Sequence, residues 1–350
     1  AFFKPTVINS FIASKIYSSP ANNAFTDDNF YKCVVDAYNK ENKTSLPYTT
    51  NLNDEQLKTI TVLECDGYGE SDENKIKSAN GIEKLTALID LRVEHNKLTS
   101  LDVSKNTSLT ALDVSNNKLA ELDVSKNIAL TYLGAHDNSF VTKLIVYKGN
   151  INIGDYNKFA KLPEGKTSVL TKLSSYSKDV VIDENNINID IVGEYVVTAS
   201  YKHNIYTSNN TYSGTYNIKV IEITSDKYVI DDDKEYIYTG TDVDKDTILK
   251  NINLDSGCNK AIEDNKLIIK YGDEVLKTFK IVNISSTKYD LSKEYIFDNN
   301  FDINNIKVVN GTSDVNNNEL LIKYEDVVLN KYKLVSYNST KYDLSKDSIK

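Results

Sequence analysis

Aliphatic residues recur every 21 residues in the middle of the chain, starting at Leu88. Four columns align across three successive coils: Leu88, Leu109, Leu130; Leu91, Leu112, Leu133; Asn96, Asn117, Asn138; and Leu98, Leu119, Phe140. Alternating leucine and valine predicts short strands with one buried side, and an asparagine can bond backbone groups in the turn that follows. A similar half-period within each coil predicts that both long sides are extended. The pattern therefore predicts a narrow solenoid with one continuous leucine core.

Residues 25–85 fit the cap that such a solenoid needs, because its first coil would otherwise expose core to water. Asp27 and Asp28 can begin a helix whose apolar positions are spaced three and four apart: Phe30, Cys33, Val34 and Ala37. This helix should end between Tyr38 and Asn42. We expect a second helical turn at Leu52–Leu57 and the first strand at Ile60–Cys65.

Three cysteines are too few for a disulfide scaffold, and they form no CxxC motif. Cys33 and Cys65 can pair if the helix and the first strand pack together. Two buried thiols are the simpler expectation.

Later segments alternate apolar and polar residues, which predicts strands joined by polar turns. Between residues 165 and 222 the expected strands are Val180–Ile182, Ile187–Ile189, Tyr195–Tyr201 and Tyr216–Val220. A second repeat follows, because an SxKY motif begins at Ser225, Ser286 and Ser339. Each copy reads as a strand, a short helix or turn, and two or three strands. Short connections between copies predict a stiff stalk.

The order of the acidic-capped helix, DEQLKTITVLEC, SANGIEKLTALIDLRVEHNKL and the LDVSKN repeats is informative. Over about residues 25–145 it resembles leucine-rich-repeat surface proteins of low-GC Gram-positive bacteria, the internalin-like group and related clostridial proteins. The resemblance implies an extracellular protein with a helical cap, a right-handed solenoid, an immunoglobulin-like module after the repeats, and non-enzymatic binding. About three clear coils leave a smaller concave surface than longer family members have.

We therefore expect a mostly β, multi-domain chain. Its expected segments are a poorly ordered leader (1–24), a helical cap with the first strand (25–85), a leucine-rich-repeat solenoid (86–150), an immunoglobulin-like β-sandwich (151–223), two tandem β-rich repeats (224–284 and 285–337) and the start of a third repeat (338–350). Beginning without methionine and stopping within a repeat, the chain has the form of a processed or cloned fragment.

The 350 residues carry a net charge of −9, without a clustered basic face. Nucleic acids and anionic membrane surfaces require such a face, so we expect neither as a partner. No apolar stretch approaches the length that spans a bilayer, so we expect no membrane insertion within these residues.

Catalytic and metal motifs are weak. His95, His136 and His203 lack zinc or nucleophile-elbow spacing. A column of Glu94, Ser115 and His136 could form a reactive row, but a solvated edge explains it better. Asp102 and Asp123 stack in one column, where calcium or the nearby Lys105 and Lys126 could neutralise them; we expect lysine. The stretch Asp242–Asp246 begins like a calcium loop, but Thr247 and Asn253 replace the required glycine and glutamate, which favours an acidic turn. We expect no cofactor and no metal.

The candidate ligand surface is the row of outward residues on the coils. Arg92, Asp113 and Gly134 lie at strand centres, and the flanking candidates are Glu94, His95, Ser115, Asn116, Tyr132, His136 and Asp137. Arginine, histidine and tyrosine are typical of recognition surfaces, and Arg92 is the only arginine of the chain. The alternative is that every coil simply needs polar positions here.

These patterns predict a non-enzymatic cell-surface binding or adhesion protein that carries its ligand surface on a stalk. Its partner would be a protein or glycan on a host or neighbouring cell. A structural envelope spacer without a ligand is the alternative. An enzyme acting on extracellular polymers is disfavoured, because no acid–base pair or nucleophile constellation stands out.

Overall fold

The computed structural model describes residues 24–153, 159–205 and 211–336. The expected leader, except Ala24, and the expected start of a third repeat at 338–350 lie outside these described residues. The chain divides into two compact units. The first comprises Ala1–Leu144 and Gly149–Lys219, and the second comprises Ile145–Lys148 and Val220–Lys350.

Helices are few and short among the described residues. The α-helices are α1 (Asp28–Asn42), α2 (Asp54–Leu57) and α3 (Lys245–Lys250), and 3-10 turns lie at Ile82–Lys84 and Ile303–Asn305. Strands dominate, which confirms the expected mostly β architecture. They are β1 (Val62–Glu64), β2 (Asp90–Arg92), β3 (Ala111–Asp113), β4 (Leu122–Asp123), β5 (Tyr132–Gly134), β6 (Phe140–Tyr147), β7 (Gly149–Asn152), β8 (Ala160–Lys161), β9 (Ser168–Ser174), β10 (Val181–Asp183), β11 (Asn186–Ile189), β12 (Gly193–His203), β13 (Thr211–Ile221), β14 (Ile223–Thr224), β15 (Val229–Asp231), β16 (Tyr236–Tyr238), β17 (Asn253–Leu254), β18 (Asn259–Glu263), β19 (Lys266–Tyr271), β20 (Glu274–Ser285), β21 (Tyr295–Phe297), β22 (Lys307–Val309), β23 (Thr312–Asn316), β24 (Glu319–Tyr324) and β25 (Val327–Val335).

Helix α1 begins where the sequence predicts. The Asp27 carboxylate accepts the backbone N–H groups of Asn29 and Phe30 at 2.9 and 3.1 Å, which satisfies two donors that a helix start leaves open. Phe30 and Val34 are fully buried, and Ala37 is buried beside them. The apolar face of this helix therefore packs into the first unit.

Strands β1, β2, β3 and β5 form one parallel sheet in that order. Its register places the central leucines of the four strands side by side: Leu63, Leu91, Leu112 and Leu133. All four are fully buried, so the 21-residue period is a stack of coils around one core. We call residues 62–140 the coil stack. Its second long side is also extended, because Asp102 bridges to Asp123 and β4 pairs with β8.

Two columns of asparagine, all buried except the half-buried Asn138, tie successive coils together. Asn117 accepts the backbone N–H of Leu98 at 3.0 Å and donates to the carbonyl of Val93 at 2.8 Å. Asn138 accepts from Leu119 in the same way in the next coil. On the other side, the Asn127 amide donates to two backbone carbonyls of the preceding coil, at 3.1 and 2.9 Å. These side chains satisfy backbone groups that no sheet bond reaches in the turns.

Cys33 and Cys65 form a disulfide, so the expectation of two free thiols is wrong. The face of α1 packs beside the end of β1 and brings the two Cα atoms to 5.9 Å, within the range that a disulfide can bridge. The bond joins the N-terminal helix covalently to the first strand of the sheet. Cys258 lies outside this pair and is half-buried.

Two further sheets follow the coils, one in the order β6-β13-β12-β9 and one in the order β10-β11-β7. Aromatic side chains fill their core: Phe159 stacks on Tyr216 at 4.6 Å, and the Tyr201 hydroxyl lies 2.6 Å from that of Tyr216. Phe140, the last residue of a coil column, stacks on Phe159 at 6.4 Å. The coil stack and these sheets therefore share buried contacts. Burial also lowers the pKa of His203, which stacks on a tyrosine of this core.

The two tail repeats have matching topology within the second unit. In the first, β16 pairs parallel with β20, and in the second, β21 pairs parallel with β25. The antiparallel pairs β19–β20 and β24–β25 both shift register at the same place, after Ile269 and Ile322. The end of β20 also pairs with β22 of the second repeat. The repeats are thus joined by a continuous strand.

Removing one asparagine of the ladder should destabilise the first unit. Asn117→Ala leaves the buried N–H of Leu98 without its acceptor, so we expect the free energy of unfolding to fall by about 3 kcal/mol. Urea unfolding followed by circular dichroism measures the change. The exposed neighbour provides the control, since Lys118→Ala should stay within about 0.5 kcal/mol of the parent. An equal loss in both variants would contradict this role of the ladder.

Loss of the disulfide should also be costly. The two cysteines are 32 residues apart, and opening a loop of that size should lower the free energy of unfolding by about 3.5 kcal/mol. The double variant Cys33→Ala/Cys65→Ala is compared with Cys258→Ala by thermal unfolding under non-reducing conditions. Equal melting temperatures in the two variants would refute a stabilising role for the bond.

Candidate ligand-binding surface

The outward positions of the parallel sheet form rows across neighbouring coils. On either side of the buried leucines, the register aligns Asp90 with Ala111 and Tyr132, and Arg92 with Asp113 and Gly134. Neighbouring strands of a sheet lie about 4.8 Å apart, so the side chains in a row can touch. We call Asp90, Arg92, Glu94, Asp113, Ser115, Tyr132 and His136 the coil face.

Arg92 is held between an acidic and an aromatic side chain. Its Nε and Nη2 donate to the two carboxylate oxygens of Asp90, each at 3.2 Å. Its guanidinium lies 5.9 Å from the centre of the Tyr132 ring, close enough for a cation–π interaction. Arg92 remains partly exposed. The only arginine of the chain is therefore oriented but still accessible.

Asp113 extends this network to the next strands. It accepts the Tyr132 hydroxyl at 2.9 Å and the backbone N–H of Ser115 at 3.0 Å. Gly134 makes room for it, because a Cβ there would lie 2.5 Å from the Asp113 carboxylate. The absence of a side chain at position 134 thus allows the carboxylate to lie against β5.

Glu94, Ser115 and His136 lie in successive coils, as the column predicts. Backbone bonds connect those coils: the His95 N–H donates to Ser115, and the Asn116 N–H donates to His136. Ser115 is only 2% exposed, so the interpretation of this row as a solvated edge is wrong at its centre.

This row does not form a serine–histidine pair. His136 Nδ1 lies 2.8 Å from the carboxylate of Asp137, and the Ser115 hydroxyl has no hydrogen-bond partner among the described residues. Activation of a serine nucleophile requires a hydrogen bond to its base. The geometry is therefore that of a packed polar row.

The Glu94 carboxyl is half-buried, and its burial raises its pKa. The nearby carboxylates of Asp113 and Asp66 raise it further, whereas Arg92 lowers it. The coil face therefore carries an excess of negative charge around Glu94, and a cationic group would be favoured there.

His95, Asn116 and Asp137 share a left-handed backbone, with φ of 56°, 54° and 52°. They lie at the turn where each coil leaves the sheet. His95 Nδ1 lies 2.9 Å from the Asp66 carboxylate, and the exposed Tyr68 ring meets the imidazole edge-on at 5.2 Å. These turn residues border the coil face.

Sequence reasoning missed three residues of this surface. Asp66 and Tyr68 follow β1, in a stretch that precedes the clear repeats and therefore gives no columnar signal. Asp90 lies two residues before Arg92 on the same strand, and that spacing places both side chains on one side of the sheet. The strand pattern could have indicated this ion pair.

The acidic positions considered for calcium have other partners. Asp123 pairs with Lys161 of β8 at 3.2 Å, so lysine neutralises it, but from a different segment than expected. Asp244 caps α3 by accepting the Thr247 N–H at 2.8 Å. Within residues 24–153, 159–205 and 211–336, no group of three or more histidine, cysteine or acidic residues could hold a metal ion. None of the helices in these ranges is long and apolar enough to cross a membrane.

The chain is rich in β-strands, and its three-residue parallel strands stack into a sheet with a polar outer face. In these features and in sequence it is similar to internalin-like proteins. Over 101 residues it is 37% identical to Internalin J of Listeria monocytogenes serotype 4b (strain F2365). This match covers 29% of the chain and 10% of Internalin J, so the chain spans about a tenth of that relative's length. No family model matches the chain.

Similar solved structures include the functional domain of InlJ from Listeria monocytogenes, at 16% identity over 48% of this chain and 50% of that one, with a TM-score of 0.21. Another contains CBM51-2 with GlcNAc and the INT domains of Clostridium perfringens ZmpB, at 13% identity over 56% and 35% and a TM-score of 0.26. A third is an internalin-like protein of Listeria monocytogenes, at 11% identity over 55% and 97% and a TM-score of 0.18. Such low TM-scores transfer neither ligand nor activity.

Glu94 should make stability depend on pH in a defined direction. A carboxyl group whose pKa is raised on folding favours the folded state at low pH, and this contribution is lost as pH rises from the ordinary 4.5 through the raised value. Glu94→Gln cannot ionise, so it should raise the urea midpoint at pH 7. The gain should shrink below pH 4.5.

Asp102 supplies a control of opposite sign. Bonds from Ser104 lower the pKa of its carboxyl, so the carboxylate stabilises the fold at neutral pH and loses that effect in acid. Asp102→Asn should therefore lower the urea midpoint at pH 7. If Glu94→Gln lowered it as well, the charge excess assigned to the coil face would be incorrect.

Proposed function

We propose that this chain is a non-enzymatic cell-surface binding or adhesion protein. In this proposal, residues 86–150 form a right-handed leucine-rich-repeat solenoid behind a helical cap (25–85). Residues 151–223 form an immunoglobulin-like β-sandwich, and the repeats at 224–284 and 285–337 form a stalk. The observation that carries the proposal is the network of Asp90, Arg92, Tyr132 and Asp113 on the coil face.

This network suits binding because its side chains are already oriented. Arg92 is held by two hydrogen bonds to one carboxylate, and Tyr132 by its bond to Asp113. Side chains fixed before binding lose little conformational entropy when a partner docks. Arginine and tyrosine are also the residue types that most often dominate binding energy at interfaces.

The Cys33–Cys65 disulfide supports an extracellular location. Such bonds persist in oxidising compartments and are rare in the reducing cytosol. We accordingly propose that the protein lies on the cell surface or in the cell wall.

The charge of the surface favours a particular class of partner. Asp66, Asp90, Glu94 and Asp113 outnumber Arg92, whose charge Asp90 already neutralises. We propose a protein or glycan on a host or neighbouring cell that offers amino, guanidino or hydroxyl groups to these carboxylates.

A binding screen with the purified chain against surface proteins and glycans tests the proposal. For a ligand found in this way, Arg92→Ala and Tyr132→Ala should each weaken binding by about tenfold or more. Biolayer interferometry on folded variants measures the change. Lys126→Ala is the matched control, because it removes one exposed positive charge after β4, on the other long side of the coils.

The outcomes separate the alternatives. Equal affinity in all three variants would move the site away from the coil face and overturn the proposal. The alternative is a spacer without a ligand. In that case the chain would bind nothing in the screen, and deleting residues 224–350 would only shorten its reach from the cell surface.

A further inference from the structure

The two tail repeats have corresponding strands in different surroundings. Tyr236 pairs with Lys280 in the first repeat, and Tyr295 pairs with Lys333 in the second, in the same parallel register. Tyr238 and Phe297 therefore also correspond. Yet Tyr236 and Tyr238 are 3% and 8% exposed, whereas Tyr295 and Phe297 are 44% and 51% exposed.

The second repeat buries the pair in the first. The Tyr324 ring packs on Tyr236 with centroids 4.7 Å apart. Tyr238 and Val282 belong to one apolar cluster with residues of the second repeat, including Tyr289 and Leu291. One repeat thus supplies half of a core, and the next repeat supplies the other half.

Polar contacts fix the same junction. The Asn310 side chain donates to the carbonyls of Asn265 and Ile281 at 3.0 and 2.9 Å, and Lys234 forms an ion pair with Asp326. The second repeat carries the counterparts of the accepting groups. In the first repeat the Ile281 N–H donates to the carbonyl of Asn265, and in the second the Leu334 N–H donates to the carbonyl of Asn318. Asn318 and Leu334 therefore correspond to Asn265 and Ile281, whose carbonyls accept the Asn310 side chain.

The exposed pair of the second repeat occupies the positions that, in the first repeat, lie in the interface with the following repeat. Tyr295 and Phe297 contact each other edge-on at 4.9 Å. Val335, the counterpart of the fully buried Val282, is only half-buried. We call Tyr295, Phe297 and Val335 the terminal aromatic face. A monomer gains nothing by exposing large aromatic side chains together, so such a patch indicates a docking surface.

We propose that the terminal aromatic face docks a further copy of the same repeat, continuing the chain from Ser339. The sequence STKYDLSK occurs at both 286–293 and 339–346. In the second repeat it provides Tyr289 and Leu291 to the core shared with the first repeat. The same tyrosine and leucine recur in the sequence of the next copy as Tyr342 and Leu344.

The test extends the chain and measures exposure of the face. The extended variant consists of residues 1–338 followed by a second copy of residues 286–336. In the appended copy, serine replaces the counterparts of Tyr295 and Phe297, so that only the original pair can be oxidised at these positions. Hydroxyl-radical footprinting with mass spectrometry then reports only the original pair. We expect oxidation of Tyr295 and Phe297 to slow about tenfold relative to the 350-residue chain, following the exposure of their counterparts.

A substitution in the appended copy tests the mode of docking. Tyr324→Ser in that copy should restore fast oxidation of Tyr295, because Tyr324 is the ring that packs on the equivalent Tyr236 in the first repeat. It should leave the copy folded, since the corresponding Tyr271 of the first repeat is 46% exposed. Val328→Ser in the copy is the matched control. Val328 is 41% exposed although its repeat is docked, and its counterpart Val275 is 53% exposed.

Two results would overturn the proposal. One is unchanged oxidation of the pair in the extended chain. The other is a dimer of the 350-residue chain, seen by light scattering, that Tyr295→Ser/Phe297→Ser dissociates, since the face would then be a contact between two chains. Neither result depends on whether the coil face binds a ligand.

Discussion

The coil stack depends on satisfying backbone groups inside a structure too thin for ordinary sheets. Each coil contributes three-residue strands, which cannot bury a leucine core alone. Stacking creates the core, but it also buries the turns between strands, where unpaired N–H and C=O groups would be costly. Asn96, Asn117 and Asn138 resolve this on one side and Asn106 and Asn127 on the other, because each amide bonds several backbone groups at once.

The geometry of the coil face follows from the same constraint. Asparagine bonds and leucine packing fix the register, and the register fixes which outward side chains are neighbours across strands. Arg92 meets Tyr132 although strand β3 lies between their strands in the sheet, since the Arg92 and Tyr132 side chains are long enough to reach past the short Ala111. A shift of one residue would send these side chains into the core. The surface is therefore as rigid as the stack that carries it.

How much of this could be predicted from sequence differs by the kind of information required. Columns such as Leu91, Leu112 and Leu133 were predictable, because periodic burial repeats the same local signal three times. The positions of Arg92, Asp113 and Tyr132 on one side of the sheet were predictable for the same reason, whereas Asp90 was missed. The Cys33–Cys65 bond, the Asp123–Lys161 pair and the contribution of Asp66 were not, since each joins segments that share no period. The burial of Ser115 also depends on its neighbours, and the residue type alone suggests exposure.

The tail shows the principle of the coil stack at a larger scale. A 21-residue coil is too small to enclose a hydrophobic core of its own. A repeat of about 55 residues with one main sheet can enclose only a small one. Two of its strands, β16 and β20, contribute residues to a second apolar cluster, which the next repeat completes. Stability in such an array is shared between neighbours, so a repeat that the next one covers differs from a repeat without that contact, even with equivalent sequence. Tyr236 and Tyr295 illustrate this effect, because they occupy the same position in two copies and yet only Tyr236 is buried.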